Sequence, residues 1–143
     1  MAVAINNKVG FKIGSTSPAN VDLSDYVTSF SFDDTYDTVE VTAMGDNSHK
    51  VIKGLYAGSL TIDLLADDAA TAYQTFLGLI GTTAYYKAIN DADSAVGAGN
   101  ILYSGQIFIN GLQPINGAVG DVKTMSVTFT CQNEPTRGTT GSW

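Results

Sequence analysis

The sequence predicts a mainly β protein made of two packed antiparallel sheets, a β-sandwich or partly open barrel, with one flanking α-helix near residues 68–80. Two observations carry this prediction. Several segments alternate apolar and polar residues with a period of two, which is typical of half-buried strands. One segment instead repeats apolar residues at three- and four-residue spacing, which is typical of an amphipathic helix. Strands interrupted by a single helix favour a sandwich or barrel whose end that helix covers.

The strands before the helix are predicted from this alternation. In residues 27–34, Phe30 and Phe32 alternate with polar residues, so both rings are expected to face the core. In residues 38–42, Val39 and Val41 are expected to point inward in the same way. Residues 43–54 are predicted to form a polar loop or a long hairpin arm. The predicted strands of this half are residues 9–13, 27–34, 38–42 and 58–65.

The helix is predicted where the apolar period changes. Asp67 or Asp68 can cap its first turn, and Gly81 is a natural stop after its last turn. Its apolar stripe is expected to lie on the sheet and consists of Ala69, Ala72, Tyr73, Phe76, Leu77 and Ile80.

Three strands are predicted after the helix, at residues 83–89, 101–109 and 121–132. The last is the most regular. One of its faces is apolar, and the other is a row of hydroxyls made by Thr124, Ser126, Thr128 and Thr130. That row is predicted to be either a channel wall or a seam between subunits. Residues 133–143 are predicted to form an extended C-terminal arm.

Composition restricts the class of protein. The 143 residues are predicted to form a single domain, and only 15% of them are charged, where about 25% is ordinary. A surface poor in charge agrees with a subunit that is covered by partners. The net charge of −7 argues against a simple nucleic-acid binder, because such proteins neutralise phosphates with lysine and arginine. Residues 1–8 are expected to be neither a signal peptide nor a membrane anchor.

No catalytic, metal or cofactor site is predicted. His49 is the only histidine, so a histidine pair for a metal is impossible, and Cys131 is the only cysteine. A dyad of these two is not expected, because Cys131 lies on a predicted core face and His49 in a predicted polar loop. Residues 90–94 resemble the start of a calcium loop but lack the glycine and the late glutamate that complete one. The chain is therefore not predicted to be an enzyme.

Several short motifs occur in a characteristic order. An Asp22-Leu23-Ser24 lead precedes D-T-x-E-x-T-A-x-G-D at residues 37–46, and G-S-L-x-I-D follows at 58–63. A G-A-V-G-D turn lies at residues 117–121 and T-R-G-T-T at 136–140. In order and spacing, the chain resembles the major tail tube protein of long-tailed, siphovirus-type bacteriophages over residues 21–140.

The resemblance implies a structural virion protein that forms rings, expected to be hexameric, which stack into a hollow tube for ejection of double-stranded DNA. One sheet would line the channel, with Asp33, Glu40 and Asp63 as candidate lumen-facing residues. Residues 43–54 and 133–143 would reach neighbouring subunits. The candidate contacts between subunits are Met44, His49, Leu55, Tyr56 and Trp143. Implied partners are further copies of the chain, a tape measure protein and tail terminator or tip proteins, with assembly in the host bacterial cytoplasm and no membrane insertion.

Two other interpretations stay open. A tube of a contractile tail, a gene-transfer particle or a secretion system would share this architecture and these patterns. A monomeric β-sandwich binding module is a different class of protein, which scattered tyrosines permit and which the low charge and the lack of an aromatic cluster disfavour.

Overall fold

A computed structural model describes residues 7–143; the prediction about the N-terminus falls mostly on residues 1–6, outside the described part. Residues 7–143 form ten strands, one 3₁₀ helix at Ser24–Tyr26 and one α-helix, α1, at Thr71–Leu77. The strands are β1 Gly10–Gly14, β2 Val21–Asp22, β3 Val27–Asp33, β4 Tyr36–Glu40, β5 Val51–Tyr56, β6 Ser59–Leu65, β7 Thr83–Ile89, β8 Leu102–Phe108, β9 Thr124–Cys131 and β10 Thr136–Gly138.

Eight strands form one antiparallel sheet that folds over on itself. Its order is β2-β1-β7-β8-β9-β6-β3, and β10 also pairs with β8. The fold-over lies between β8 and β9, which share only the pairs Ile107↔Cys131 and Phe108↔Thr130. The half β9-β6-β3 therefore packs against the half β2-β1-β7-β8, as in a sandwich. This confirms the predicted mainly β fold with packed antiparallel layers.

Aromatic side chains join the two halves across the core. The ring of Phe30 on β3 lies 5.4 Å from that of Phe11 on β1. The ring of Phe32 lies 5.1 Å from that of Tyr103 on β8 and 6.1 Å from that of Tyr86 on β7. As predicted, Phe30 and Phe32 face inward, and both are partly buried.

The predicted helix is shorter than expected. It begins at Thr71 without a side-chain cap, so the prediction that Asp67 or Asp68 caps it was wrong. The Asp67 carboxylate instead accepts a hydrogen bond from the Ala69 amide and forms a turn before the helix. Because the helix ends at Leu77, the apolar stripe is cut short, and Leu79 is buried while Ile80 is exposed. Tyr73 and Phe76 cover one end of the core.

The strands β4 and β5 leave the body as a separate two-stranded ribbon. We call residues 36–56, which comprise both strands and the loop between them, the arm. The prediction that Val39 and Val41 point inward was wrong, because within residues 7–143 β4 pairs only with β5 and both side chains are exposed. Within the predicted polar loop or hairpin arm at residues 43–54, only the last third is strand, since β5 begins at Val51.

The C-terminal segment docks in part on its own chain. Its strand β10 pairs with β8 through Thr136↔Ser104 and Gly138↔Leu102. The side chain of Trp143 lies against Gly10 of β1, where a Cβ atom would collide with the indole. The Lys12 ammonium lies 4.4 Å from the centre of an indole ring. In the isolated chain, the C-terminal segment therefore packs in part on β1 and β8.

Strand β9 provides a direct test of which sheet face is the core. Phe129 is fully buried and packs edge-on against Phe76 at 6.2 Å. We expect Phe129→Ala to lower the free energy of unfolding by about 3–5 kcal/mol, because it removes a buried ring and leaves a cavity. The neighbouring exposed Thr128→Ala should change it by less than about 0.5 kcal/mol. Chemical denaturation of the two variants measures both values, and equal effects would contradict this assignment of the faces.

Candidate functional site: the hydroxyl face and the arm

The outward side chains of β3, β6 and β9 form one polar surface, which we call the hydroxyl face. Strand register aligns them in three rows: Ser29, Asp63 and Ser126; Ser31, Thr61 and Thr128; Asp33, Ser59 and Thr130. Within the middle row the hydroxyls of Thr61 and Thr128 are 3.2 Å apart. Seven hydroxyl groups and two carboxylates therefore cover the outside of this half of the sandwich.

The hydroxyl face carries no lysine or arginine. The two predicted lumen-facing residues Asp33 and Asp63 both lie on it, so register brings them to one surface from separate strands. The third, Glu40, does not join them, since it lies on the arm and contacts His49 at 2.6 Å. A surface of this kind repels a polyanion at short range and offers phosphate groups no fixed cation to bind.

The opposite side of the sandwich has the other charge. Lys12 on β1 lies directly opposite Lys87 on β7, and both side chains point away from the core. Next to them in register are Asp22 on β2 and Ser104 on β8. The hydroxyl face therefore carries carboxylates and no cation, whereas the opposite face carries two lysines beside one aspartate, and this difference follows from pairing that links residues far apart in sequence.

The arm exposes large apolar side chains. Val39 and Ile52 are a cross-strand pair and are 49% and 55% exposed, and Met44 in the connecting loop is fully exposed. Leu55, near the base of the arm, is 81% exposed. Two predicted contact residues, Met44 and Leu55, therefore lie free on the arm. Exposed large apolar side chains make the arm a candidate interaction surface.

A second apolar segment is exposed at the other end of the body. The loop between β8 and β9 exposes Ile115, Val119 and Val122. It joins the sheet where β6 ends, since the Ala66 amide donates to the Lys123 carbonyl. The arm joins the sheet where β6 begins. The two exposed apolar segments thus lie at opposite ends of β6. In this loop the sequence analysis identified only the turn at residues 117–121.

The base of the arm is held by a cluster of ionic and aromatic groups, which we call the arm root: Asp34, Tyr36, Tyr56, Glu134 and Arg137. Arg137 donates to both carboxylate oxygens of Asp34, through Nε at 2.8 Å and Nη2 at 2.7 Å. It also contacts Glu134 at 3.3 Å. The predicted subunit contact Tyr56 is half-buried here and donates to Asp34 at 2.8 Å. Sequence analysis missed Arg137 because its partner Asp34 is 103 positions away.

Titration of Asp34 should loosen the arm root. Hydrogen bonds from Arg137 hold the pKa of the Asp34 carboxyl below its ordinary value of 3.8, while burial acts in the opposite direction. A lowered pKa in the folded state means that the stabilisation is complete above 3.8 and is lost as the pH falls through the folded value. We expect wild type to be more stable than Asp34→Asn at neutral pH, with the difference shrinking below pH 3.8. Urea unfolding across this range measures it, and a difference independent of pH would contradict the ion pair.

The remaining chemistry-bearing groups are scattered. Cys131 is buried on β9, where burial raises the pKa of its thiol, while His49 is exposed on the arm. The structure does not bring these two residues together. Within residues 7–143 there is no group of three histidine, cysteine or acidic residues that could hold a metal ion. The described helices are also too short or too polar to cross a membrane.

Comparisons with known proteins give a likeness in structure. Neither a protein-family model nor a curated protein matches the sequence. One solved chain, from a structure described as "Virion of native gene transfer agent (GTA) particle", superposes with a TM-score of 0.70. The match covers 95% of this chain and 99% of that chain at 12% sequence identity. The two chains therefore share one fold over nearly their whole lengths.

Proposed function

We propose that this chain is the structural subunit of a phage-type tail tube, a hollow conduit through which double-stranded DNA passes without specific binding. The observation that carries the proposal is the arm, whose apolar side chains project from a body that already has its own core. A chain of this kind is completed by neighbours. The fold shared with a chain of a gene transfer agent virion supports a structural role in such a particle.

The hydroxyl face is the candidate channel wall. DNA passing along it meets hydroxyls and the carboxylates of Asp33 and Asp63. Repulsion from these carboxylates acts within about 8 Å at physiological ionic strength. The opposite face, with Lys12 and Lys87, would bind phosphate groups and slow their passage, so it is assigned to the outside of the tube. Glu40 is left out of the wall because it lies on the arm.

The two exposed apolar ends support assembly by head-to-tail contacts. The arm and the β8–β9 loop are different surfaces at opposite ends of β6, so contact between them in successive subunits is heterologous and can be repeated from one ring to the next. Among residues 7–143, β3 has a neighbouring strand on one side only, and its other edge can offer backbone groups to a neighbour around a ring. Met44, His49 and Leu55 are the arm residues proposed to contact other subunits. The proposal for Tyr56 and Trp143 is weaker, because both side chains already pack within their own chain.

The kind of particle is a finer part of the proposal. A siphovirus tail tube and the tube of a gene-transfer particle both fit these surfaces, and the shared fold with a chain of a gene transfer agent virion supports the wider phage-type class. Either assignment implies stacked rings, expected to have six subunits, with a tape measure protein inside during assembly and terminator or tip proteins at the ends. Particles of both kinds assemble in a bacterial cytoplasm.

Electron microscopy of the purified protein tests the proposal. We expect hollow tubes of uniform diameter, built from stacked rings, at high protein concentration or after addition of a tail initiation complex. A protein that stays monomeric under both conditions would favour the binding-module interpretation and contradict a tube. Sedimentation velocity on the same samples distinguishes monomers, single rings and tubes.

A further inference from the structure

The sheet is interrupted at the point where the arm leaves the body. The β3–β6 ladder ends at the pair Asp33↔Ser59, and the β4–β5 ladder begins at Tyr36↔Tyr56. Between them the two chains are joined by the Ala57 amide, which donates to the Thr35 carbonyl at 2.9 Å, and by the Thr35 hydroxyl, which donates to the Ala57 carbonyl at 3.1 Å. Two separate sheets connected in this way can change their relative angle without breaking either ladder.

The C-terminal segment spans this interruption. Strand β10 is part of the body, because it pairs with β8, and the preceding Pro135 is buried. From β10, Arg137 holds both oxygens of Asp34 in a bidentate ion pair, which is the geometry that fixes direction as well as distance. The side chains of Arg137 and Asp34 are only 34% and 25% exposed, so water screens this pair less than it screens the other ion pairs of the described residues.

Aromatic groups extend this contact into the arm itself. Tyr36, the first residue of β4, donates its hydroxyl to Glu134, and Arg137 also reaches that hydroxyl at 3.4 Å. The ring of Tyr56 packs edge-on against the ring of Tyr36 at 5.1 Å and lies over Gly58, where any side chain would collide with it. Arg137 therefore contacts groups on both sides of the interruption.

We propose that Arg137 is a positioning residue that holds the arm at one angle to the body, and that this fixed angle lets the arm reach a second copy of the chain. The second half of the statement rests on the proposed function, whereas the first half concerns the isolated subunit. The C-terminal segment then has a defined task. It acts as a strap that orders the arm before assembly. The conformational entropy of the arm is then not lost when subunits join, which favours their association.

Pulsed electron spin resonance on the isolated subunit tests the first half. Spin labels are placed at Met44→Cys on the arm and at Thr83→Cys, an exposed site on β7, in a Cys131→Val background. Monomers are separated from any larger assembly by size-exclusion chromatography before measurement. We expect one narrow distance distribution for the parent and a clearly broader one for Arg137→Gln. Arg137→Lys should lie between them, because lysine keeps the charge but cannot hold both carboxylate oxygens from a planar fork.

The matched control is Lys123→Gln, which removes an exposed ion pair with Asp68 at 2.6 Å that touches neither the arm nor its root. It should leave the distribution narrow. Equal widths for the parent, Arg137→Gln and Arg137→Lys would overturn the proposal, whether or not the protein forms tubes. If the widths differ as expected, the rate of tube growth in Arg137→Gln tests the second half. Tube growth slower by about tenfold would support the second half, because the arm orientation that is competent for binding would then be a minor state. An unchanged rate would refute it.

Discussion

Replacing Asp33 and Asp63 together by lysine is expected to convert the hydroxyl face from a surface that repels DNA into one that binds it. Each replacement exchanges a negative for a positive charge on the candidate channel wall, and every ring repeats the change. Tubes should still form, because both positions lie on the outer side of the sheet and neither belongs to the arm or the arm root. DNA delivery by particles that contain this chain should fall by about tenfold or more, since each phosphate held on the wall opposes passage.

The measurement combines delivery assays with co-sedimentation of a short duplex and assembled tubes. Wild-type tubes should leave the duplex in solution. The lysine variant should retain it at low salt and release it as salt rises, with a slope of about −0.9 in log affinity against log salt for each neutralised phosphate. The control variant, Asp25→Lys with Asp93→Lys, makes the same change in net charge on exposed carboxylates off the face. If both double variants retained DNA equally, the hydroxyl face would not be the wall.

Shortening the arm is expected to abolish tube growth without unfolding the subunit. Glu40 and Val51 are directly opposite each other, so replacing residues 41–50 by Asn-Gly closes the hairpin with a favoured two-residue turn. This change leaves β5 intact, whereas removal of the whole segment 43–54 would delete part of that strand. It deletes Val41, Met44 and His49 but leaves the arm root in place. We expect monomers or isolated rings in sedimentation and electron microscopy.

Two measurements distinguish a defect in assembly from a defect in folding: the stability of the shortened protein, and tube growth in two sets of point variants. The free energy of unfolding should change by less than about 0.5 kcal/mol, because the deleted side chains are almost all exposed. Val39→Thr with Ile52→Thr should weaken tube growth by making the apolar side of the arm polar. Thr38→Val, on the other side of the ribbon, is the matched control and should not weaken it. Normal tubes from the shortened arm would exclude residues 41–50 as an assembly contact.

Local sequence patterns were sufficient to predict strands of the body that have the core on one face and solvent on the other. Strand β9 is an example, because Met125, Val127, Phe129 and Cys131 are buried in strict alternation with exposed residues. The same reasoning failed for Val39 and Val41, whose alternation looks like that of Phe30 and Phe32. Alternation reports that a strand has two unlike sides, but it does not report whether the apolar side is covered by its own chain or by another.

Local sequence patterns did not predict the bounds of the helix or the contacts of the arm root, and the reasons differ. Residues 68–80 have a helical period, but the turn made by Asp67 and the stop at Gly78 leave only Thr71–Leu77 helical. Arg137 and Asp34 are separated by most of the chain, and pairing of β10 with β8 brings them together.

The sequence by itself determined the mainly β class, the hydroxyl row on the last strand and the absence of a familiar catalytic motif, because periodicity and composition are local properties of the chain. Only the tertiary structure decided which polar rows share one surface, which of the acidic residues join it and where the arm leaves the body. Those properties depend on strand order and register, which join residues far apart in the chain, and no local pattern encodes them.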